Sequence, residues 1–151
     1  MPFHYCRSLL QPGSIISPGN WGRIVRLVGP RHVEWNREQI LERIRQTEFP
    51  QLPSRFECVF FCESEAEARY YGYGSARGTP NPMFLYEVEV VDSRARQHEA
   101  DWKGTGPYDD TEDWARRYWR GEVMPGRGLA PAPLSRERLV VSPLRVLRRL
   151  P

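Results

Sequence analysis

The alternation in residues 84–91, FLYEVEVV, constrains the fold more than any other stretch of the chain. Aromatic and β-branched residues alternate there with Glu87 and Glu89, which is the pattern of a strand with one buried face. A second apolar run at 56–62, FECVFFC, is short, lies between Pro and Ser, and is typical of a buried strand. Because strands outnumber helices and no strand–helix–strand alternation is present, the chain is predicted to adopt an α+β fold with a largely antiparallel sheet.

Three short helices are predicted beside these strands. The first covers 36–46, behind a pattern that resembles a capping box, and the third covers 111–121, with acidic residues in its first turn and arginines in its last. The second covers 64–72, where Ser64 is a candidate N-cap and Glu67 occupies the N3 position. These signals place each helix start more sharply than the apolar spacing does.

Further strands are predicted at both ends of the chain. Residues 3–10 form an opening strand, and 138–141 and 143–147 form one or two closing strands. Turn signals follow the opening strand at 12–14 and 17–20. Polar, Gly-rich or Pro-rich loops are expected at 74–82, 98–108 and 124–133.

Length and composition indicate one domain over residues 1–151. A chain of 151 residues with 40% hydrophobic residues has enough apolar material for a single core. Membrane-spanning proteins are excluded because no apolar run approaches the roughly 18 residues of a span. The N-terminus lacks a signal-peptide pattern, and three cysteines are an odd number without framework spacing. We therefore expect a cytoplasmic protein without a membrane partner.

The charge is unevenly distributed. Of 22 basic residues 21 are arginine, and residues 134–151 carry five arginines against one glutamate. The remaining 133 residues carry 17 basic and 18 acidic side chains, which excludes a uniformly basic nucleic-acid binder. An arginine-rich nucleic-acid-binding domain stays open, with Trp21 and Trp119 as exposed stacking residues.

Several common catalytic sites are poorly supported. The chain has no P-loop, no G-x-G-x-x-G between strand and helix, and no G-x-S-x-G. No metal site is predicted, since Cys58 and Cys62 share one strand without a second ligand pair. A Cys–His enzyme using Cys6 and His98 is conceivable, although free cysteines in apolar strands are mostly inert.

Six segments remain, and their order is informative. They are FHYCRS at 3–8, PGSIISPGNWG at 12–22, SRFECVFFCESEAEARYYG at 54–72, LYEVEVV at 85–91, RYWRGE at 117–122 and RERLVVSPLRV at 136–146. In this order the chain resembles small bacterial proteins of the ADP-ribosyltransferase superfamily. The resemblance covers most of the chain.

The resemblance implies an ADP-ribosyltransferase-like fold with a small split antiparallel sheet. It also implies that NAD is a substrate and that ADP-ribose passes to an acceptor, nucleic acid or protein, with release of nicotinamide. The resemblance is compatible with a toxin, a defence effector or a housekeeping modifier. If the protein is a toxin, an antitoxin or immunity protein is an expected partner. A catalytically inactive nucleotide- or partner-binding module on the same fold is the alternative.

Site residues follow from the same resemblance. His4 and Glu137 take the catalytic positions, with His4 bonding ribose hydroxyls and Glu137 stabilising the developing cation and orienting the nucleophile. Arginines suit the pyrophosphate, and aromatic side chains suit the pocket walls. The predicted cofactor-binding residues are His4, Tyr5, Arg7, Ser54, Arg55, Phe60, Phe61, Cys62, Tyr70 and Tyr71.

The chain departs from the family pattern at two positions. The middle strand position, often Ser, Thr or Tyr, is Cys62 or Ser64 here. Glu137 has no acidic or Gln residue two positions earlier, which disfavours arginine as the acceptor. Glu122 is a second candidate for the essential acid, but the start of a strand after a loop favours Glu137.

Overall fold

The computed structural model of the chain describes residues 1–76, 83–102, 112–123 and 135–151. Within them it contains helices and strands in an α+β arrangement, as the sequence predicts. The helices are α1 Asn20–Val28, α2 Trp35–Glu48, α3 Glu65–Ala76 and α4 Glu112–Trp119. The strands are β1 Phe3–Cys6, β2 Ile15–Ile16, β3 Val59–Phe61, β4 Phe84–Val90, β5 Gln97–Asp101, β6 Arg136–Val140 and β7 Leu144–Leu150.

The strands form two antiparallel sheets, in the orders β1-β4-β7-β2 and β3-β6-β5. The sheets meet where the backbones of Phe3 and Cys62 exchange two hydrogen bonds of 2.8 Å. The predicted split, antiparallel sheet is therefore confirmed. β6 lies at the centre of the smaller sheet, so its first residues are held by strands on both sides.

Apolar side chains fill three layers around these sheets. The layer between the sheets contains Val59, Phe61 and Val140 from one sheet and Tyr86, Val88, Leu144 and Val146 from the other. α2 and α4 cover the other face of β6, where Leu139 packs with Leu41, Trp114 and Trp119. α3 covers the outer face of β1 and β4. Since side chains alternate along a strand, successive residues of β6 face different layers.

The contact between α3 and β1 depends on Gly72. A Cβ at this position would lie 2.5 Å from the ring of Tyr5, so only glycine allows this close approach. The prediction that Gly72 ends the helix is wrong, because α3 continues to Ala76. Gly72 therefore allows α3 to pack closely on β1 and does not end the helix.

One helix and two strands, β2 and β5, are not predicted from the sequence. β2 forms between the two predicted turns, where Ile15 and Ile16 pair with β7. α1 follows the predicted turn and packs through Gly22, where a Cβ would lie 2.1 Å from the Phe56 carbonyl oxygen. The prediction of three helices is therefore short by one. β5 occupies part of the predicted 98–108 loop, because its polar side chains pair across the strands, with Glu99 opposite Arg138.

Some predicted features lie outside the described residues. These are the loops at 77–82, 103–108 and 124–133 and the start of the third helix at Thr111. In the described part of the chain, every helix falls short of the length and apolar character needed to cross a membrane.

Candidate functional site

A cavity of about 450 Å³ lies where β6 begins, beside β5 and the start of α3. Its walls are rich in charged side chains. The lining residues are Glu63, Ser64, Glu67, Glu99, Arg136, Glu137 and Arg138. Glu137, the predicted acid, is therefore at this cavity. It is the second residue of β6, which begins two residues earlier than the predicted strand at 138–141.

The Glu137 carboxylate is held from one side only. Its side chain is 10% exposed, and Oε1 accepts hydrogen bonds from Arg55 Nη1 at 2.5 Å and from the Tyr118 hydroxyl at 2.7 Å. Both bonds end on Oε1, so Oε2 accepts no hydrogen bond from the residues that the structure describes. By the alternation along β6, the Glu137 side chain shares the face of Leu139, toward α2 and α4, whereas Arg136 and Arg138 lie on the opposite face. Glu137 still borders the cavity, and a carboxylate fixed by one oxygen has the other oxygen open to a ligand.

Arg55 connects Glu137 to a second buried carboxylate, that of Glu38. The Arg55 Nε lies 2.9 Å from Glu38 Oε2, and its Nη2 donates to Glu38 Oε1 at 3.2 Å. The guanidinium also contacts the Tyr118 hydroxyl and lies over the ring of Phe60, with 4.7 Å to its centroid. We call Glu38, Arg55, Tyr118 and Glu137 the buried ion cluster.

Burial and charge set the protonation of this cluster. Burial alone would lower the pKa of Arg55, but Glu38, Tyr118 and Glu137 outweigh it and hold the pKa well above its ordinary value. Burial raises the pKa of Tyr118 well above its ordinary value, Glu137 adds to that shift, and Arg55 opposes it. Arg55 is therefore a cation, and Tyr118 is a neutral hydroxyl that donates to Glu137.

The N-terminus of α3 contributes Ser64 to the cavity. The Glu67 amide donates to Ser64 Oγ at 3.3 Å, and the Ser64 amide and hydroxyl donate to Glu67 Oε2 at 3.0 and 2.9 Å. The predicted cap is thus confirmed as a capping box. Cys62, the other candidate for the middle position, is buried, which raises the pKa of its thiol to about 12. Ser64, and not Cys62, lines the cavity.

The arginines of the cavity are paired with its carboxylates. Arg136 lies 3.1 Å from Glu99 and 3.5 Å from Glu67, while Arg138 lies 2.8 Å from Glu63 and 3.2 Å from Glu99. Apart from Glu137, which is paired with Arg55, three glutamates accompany two arginines in the lining, which leaves a small net negative charge. The basic final segment of the chain is therefore largely neutralised in this region.

His4 lies on a different side of the smaller sheet. It stands opposite Tyr86, on the side of β1 that faces the layer between the sheets, and its Nδ1 is 2.7 Å from the Phe60 carbonyl oxygen. Burial lowers the pKa of His4, and the bond to Phe60 opposes this shift. His4 is absent from the cavity lining and faces the layer between the sheets, whereas the Glu137 side chain faces α4, so the two lie on different sides of the smaller sheet.

Four further predicted residues lie apart from the cavity. Tyr5 packs against α3 at Gly72, and Arg7 is exposed beyond the end of β1. Ser54 is buried, donates to Glu42 Oε2 at 2.8 Å and accepts from the Phe56 amide, so it caps the short 3-10 helix that contains Arg55. Phe61 packs between the sheets.

Tyr70 and Tyr71 form an aromatic group with Trp102. The ring centroids lie 5.9 Å and 5.7 Å from that of Trp102. The Trp102 amide donates to the carbonyl of Ser135, the residue that precedes β6. The aromatic group therefore lies between α3 and the start of β6, about one helical turn beyond Glu67.

The alternative site residues do not assemble in the described structure. Trp119 was predicted to be exposed, which is wrong: it is 2% exposed and its indole N–H donates to the Leu41 carbonyl. Cys6 contacts Ser8, whereas His98 contacts the Tyr118 carbonyl and burial lowers its pKa. Glu122 is paired with Arg117 on the surface, away from the cavity.

Sequence reasoning missed Glu38 and Tyr118. Glu38 stands three residues before Leu41, and α2 buries both. A charged residue on the apolar face of a predicted helix is a usable signal, because such a residue needs a buried partner. Within the described residues, no group of three or more His, Cys, Asp or Glu is placed to hold a metal ion.

Two comparisons with known proteins give one match. Residues 13–131 match the model of a family described as "Protein of unknown function (DUF2441)". No curated protein matches the chain.

Proposed function

We propose that this chain, which belongs to the DUF2441 family, is an NAD⁺-dependent mono-ADP-ribosyltransferase. Its reacting centre is Glu137. The observation that carries the proposal is the state of the Glu137 carboxylate. Oε1 is fixed by Arg55 and Tyr118, Oε2 accepts no hydrogen bond from the described residues, and Glu137 is among the residues that line the cavity. This is the arrangement that a carboxylate needs to act on a bound sugar.

The chemistry suits a negatively charged cavity. When the bond between C1′ of the ribose and the nicotinamide nitrogen breaks, its electron pair neutralises the nicotinamide and leaves a positive charge on the sugar. Carboxylates stabilise that charge most strongly where water is partly excluded. Ribose hydroxyls donate hydrogen bonds to the same carboxylates. Glu137 Oε2 then accepts the proton of the acceptor nucleophile as it attacks C1′.

The aromatic group supplies the second contact surface. A nicotinamide or adenine ring stacks favourably on aromatic side chains. Tyr70 and Tyr71 stand about one turn beyond Glu67, which lines the cavity, so one ligand can reach both. This placement supports the predicted pocket role of the two tyrosines.

The pyrophosphate requires a rearrangement of two ion pairs. Arg136 and Arg138 are the cavity's guanidinium groups, and both pair with Glu99. Phosphate oxygens accept bidentate bonds from arginine, so we expect the pyrophosphate to displace Glu99 from one of them. Arg55, predicted to bind phosphate, is buried among carboxylates and holds Glu137 instead.

His4 has a supporting role in this proposal. Its bond to the Phe60 carbonyl links β1 to β3, and the Phe60 ring lies against Arg55. His4 is thus a positioning residue, three contacts away from Glu137 through Phe60 and Arg55. The acceptor remains nucleic acid or protein. The three free cysteines favour a reducing compartment, and we propose the cytoplasm.

Nucleotide binding without chemistry is the second candidate. It is favoured by the position of His4, since the cavity lacks the histidine that the resemblance implies. Both candidates predict NAD⁺ binding, and only the first predicts release of nicotinamide.

A single ¹H NMR experiment distinguishes the two candidate functions. The full chain is incubated with NAD⁺, and saturation transfer reports binding while new nicotinamide signals report turnover. The proposal predicts both, with faster release when RNA, DNA or protein acceptors are added. Binding without nicotinamide after prolonged incubation favours the second candidate, and the absence of both contradicts the site itself.

A further inference from the structure

Helix α1 turns its aliphatic side chains away from the protein. It packs on the body through Gly22 and Val25, the buried residues of the helix. Ile24 is 44% exposed and Leu27 is 87% exposed. Helices of globular proteins normally direct such a stripe toward the core, so this outward stripe is unusual.

The stripe continues past the end of the helix. Val28 is exposed at the end of α1, and Val33 is 87% exposed five residues later. We call Ile24, Leu27, Val28 and Val33 the aliphatic ridge. Exposed apolar residues elsewhere on the described surface are spread along the chain, whereas four of them fall within these ten residues. A concentrated apolar patch of this kind marks an interaction surface.

Three arginines lie beside the ridge, and Glu34 follows its last residue, Val33. The Arg26 guanidinium lies over the ring of Phe56, 4.6 Å from its centroid. Arg23 and Arg26 lie on α1, and Arg31 follows it. None of the three makes an ion pair with a residue that the structure describes, whereas the arginines of α2 and α4 are paired with carboxylates. The sequence explains this, because the first acidic residue of the chain is Glu34. The surface is therefore cationic without internal neutralisation.

We propose that the aliphatic ridge and its arginines dock on the surface of an anionic phospholipid bilayer. A short amphipathic helix with arginines beside an aliphatic stripe lies in the interface, with the stripe below the headgroups and the arginines among them. Such binding needs no membrane-spanning helix, and it replaces the expectation from composition that the chain has no membrane partner. It is independent of the function proposed for the cavity.

A bilayer fits this surface better than an acidic protein does. The ridge carries aliphatic side chains without polar groups that would fix the orientation of a protein partner. Its three arginines pair with no carboxylate of the described residues, and Glu34 beside Val33 pairs with Arg37, so the surface keeps a positive charge that suits a uniformly negative bilayer. An acidic protein segment is the competing occupant, and the experiment includes it.

The test is co-sedimentation of the full chain with vesicles. Vesicles of pure phosphatidylcholine are compared with vesicles that contain phosphatidylglycerol, at low and at physiological salt. We expect binding to the anionic vesicles only. Leu27→Asp should abolish it, and Arg23→Gln and Arg26→Gln should weaken it about fivefold each, as expected for arginines near a charged surface.

Two control variants separate the ridge from general effects. Val91→Asp changes an aliphatic residue that is 46% exposed elsewhere, and Arg149→Gln removes the charge of an exposed arginine on β7. Both should bind like the wild type.

Three results would overturn the proposal. The first is no binding to anionic vesicles at low salt. The second is equal loss in the ridge and control variants, which indicates attraction by net charge alone. The third is binding of an acidic amphipathic peptide, with glutamates opposite a leucine stripe, by a protein that does not bind the vesicles. This result would assign the surface to a protein partner.

Discussion

Removing Arg55 should expose how strongly the buried ion cluster depends on one cation. In Arg55→Met, two carboxylates lose their shared partner while the volume of the side chain is roughly kept. The side chains of Glu38 and Glu137 are 0% and 10% exposed, so water replaces the guanidinium poorly at either carboxylate. Glu38 keeps its ion pair with Arg37 at 2.9 Å, whereas Glu137 keeps, among the described residues, only the Tyr118 hydroxyl. Removing one member of a buried ion pair costs about 3–5 kcal/mol, and we expect a loss in that range at pH 7.

The loss should depend on pH in a defined direction. Burial alone would raise the pKa of Glu38, but Arg55 and Arg37 outweigh burial and hold the pKa below its ordinary value. A glutamate with a lowered folded-state pKa stabilises the fold above its ordinary pKa of about 4.3, and this contribution disappears as the pH falls through the folded-state value. The variant lacks most of this contribution. The difference in unfolding free energy between wild type and variant should therefore be largest at pH 7 and small below pH 4.

Urea unfolding followed by tryptophan fluorescence measures this gap at both pH values. Arg145→Met is the matched control, since Arg145 pairs with Glu89 across strands and both side chains are about half exposed. We expect the control to lose about 0–1 kcal/mol. Equal losses in the two variants at pH 7, or a gap that does not change with pH, would refute the role given to Arg55.

Two further predictions concern packing and thiol chemistry. Gly22→Ala should lower the thermal unfolding midpoint more than Gly72→Ala, because the added methyl meets backbone at the first site and a side chain at the second; losses of about 1–3 kcal/mol are expected. Burial raises the pKa of Cys58 and Cys62 to about 12, so a thiol reagent at pH 7.5 should label only Cys6 in the folded chain. Rapid labelling of three thiols without urea would contradict this placement.

Much of the fold could be predicted from local patterns. The alternation at 84–91 became β4, and the Ser64 cap became the start of α3, because both signals act within a few residues. α1 and β5 were missed for opposite reasons. α1 directs its apolar residues to solvent, while β5 is a polar strand whose partners lie on β6.

The site was predictable only in part. The sequence indicates Glu137, Arg55 and Phe60 as site residues, and the structure brings all three together. It does not indicate Glu38 and Tyr118, because they reach Arg55 through space from α2 and α4, and no spacing in the sequence connects those helices to it. The position of His4 on β1 was predicted, but the side of the sheet that it faces depends on how the two sheets meet.

The rate of nicotinamide release by Glu137→Gln tests the central claim most directly. The substitution keeps the shape of the side chain and removes its charge, and Glu87→Gln is the matched control because Glu87 is also buried and paired with an arginine, on the other sheet. We predict that release from NAD⁺ falls at least about 100-fold in Glu137→Gln and stays near the wild-type rate in Glu87→Gln. A Glu137→Gln protein that stays folded and releases nicotinamide at the wild-type rate would contradict the account.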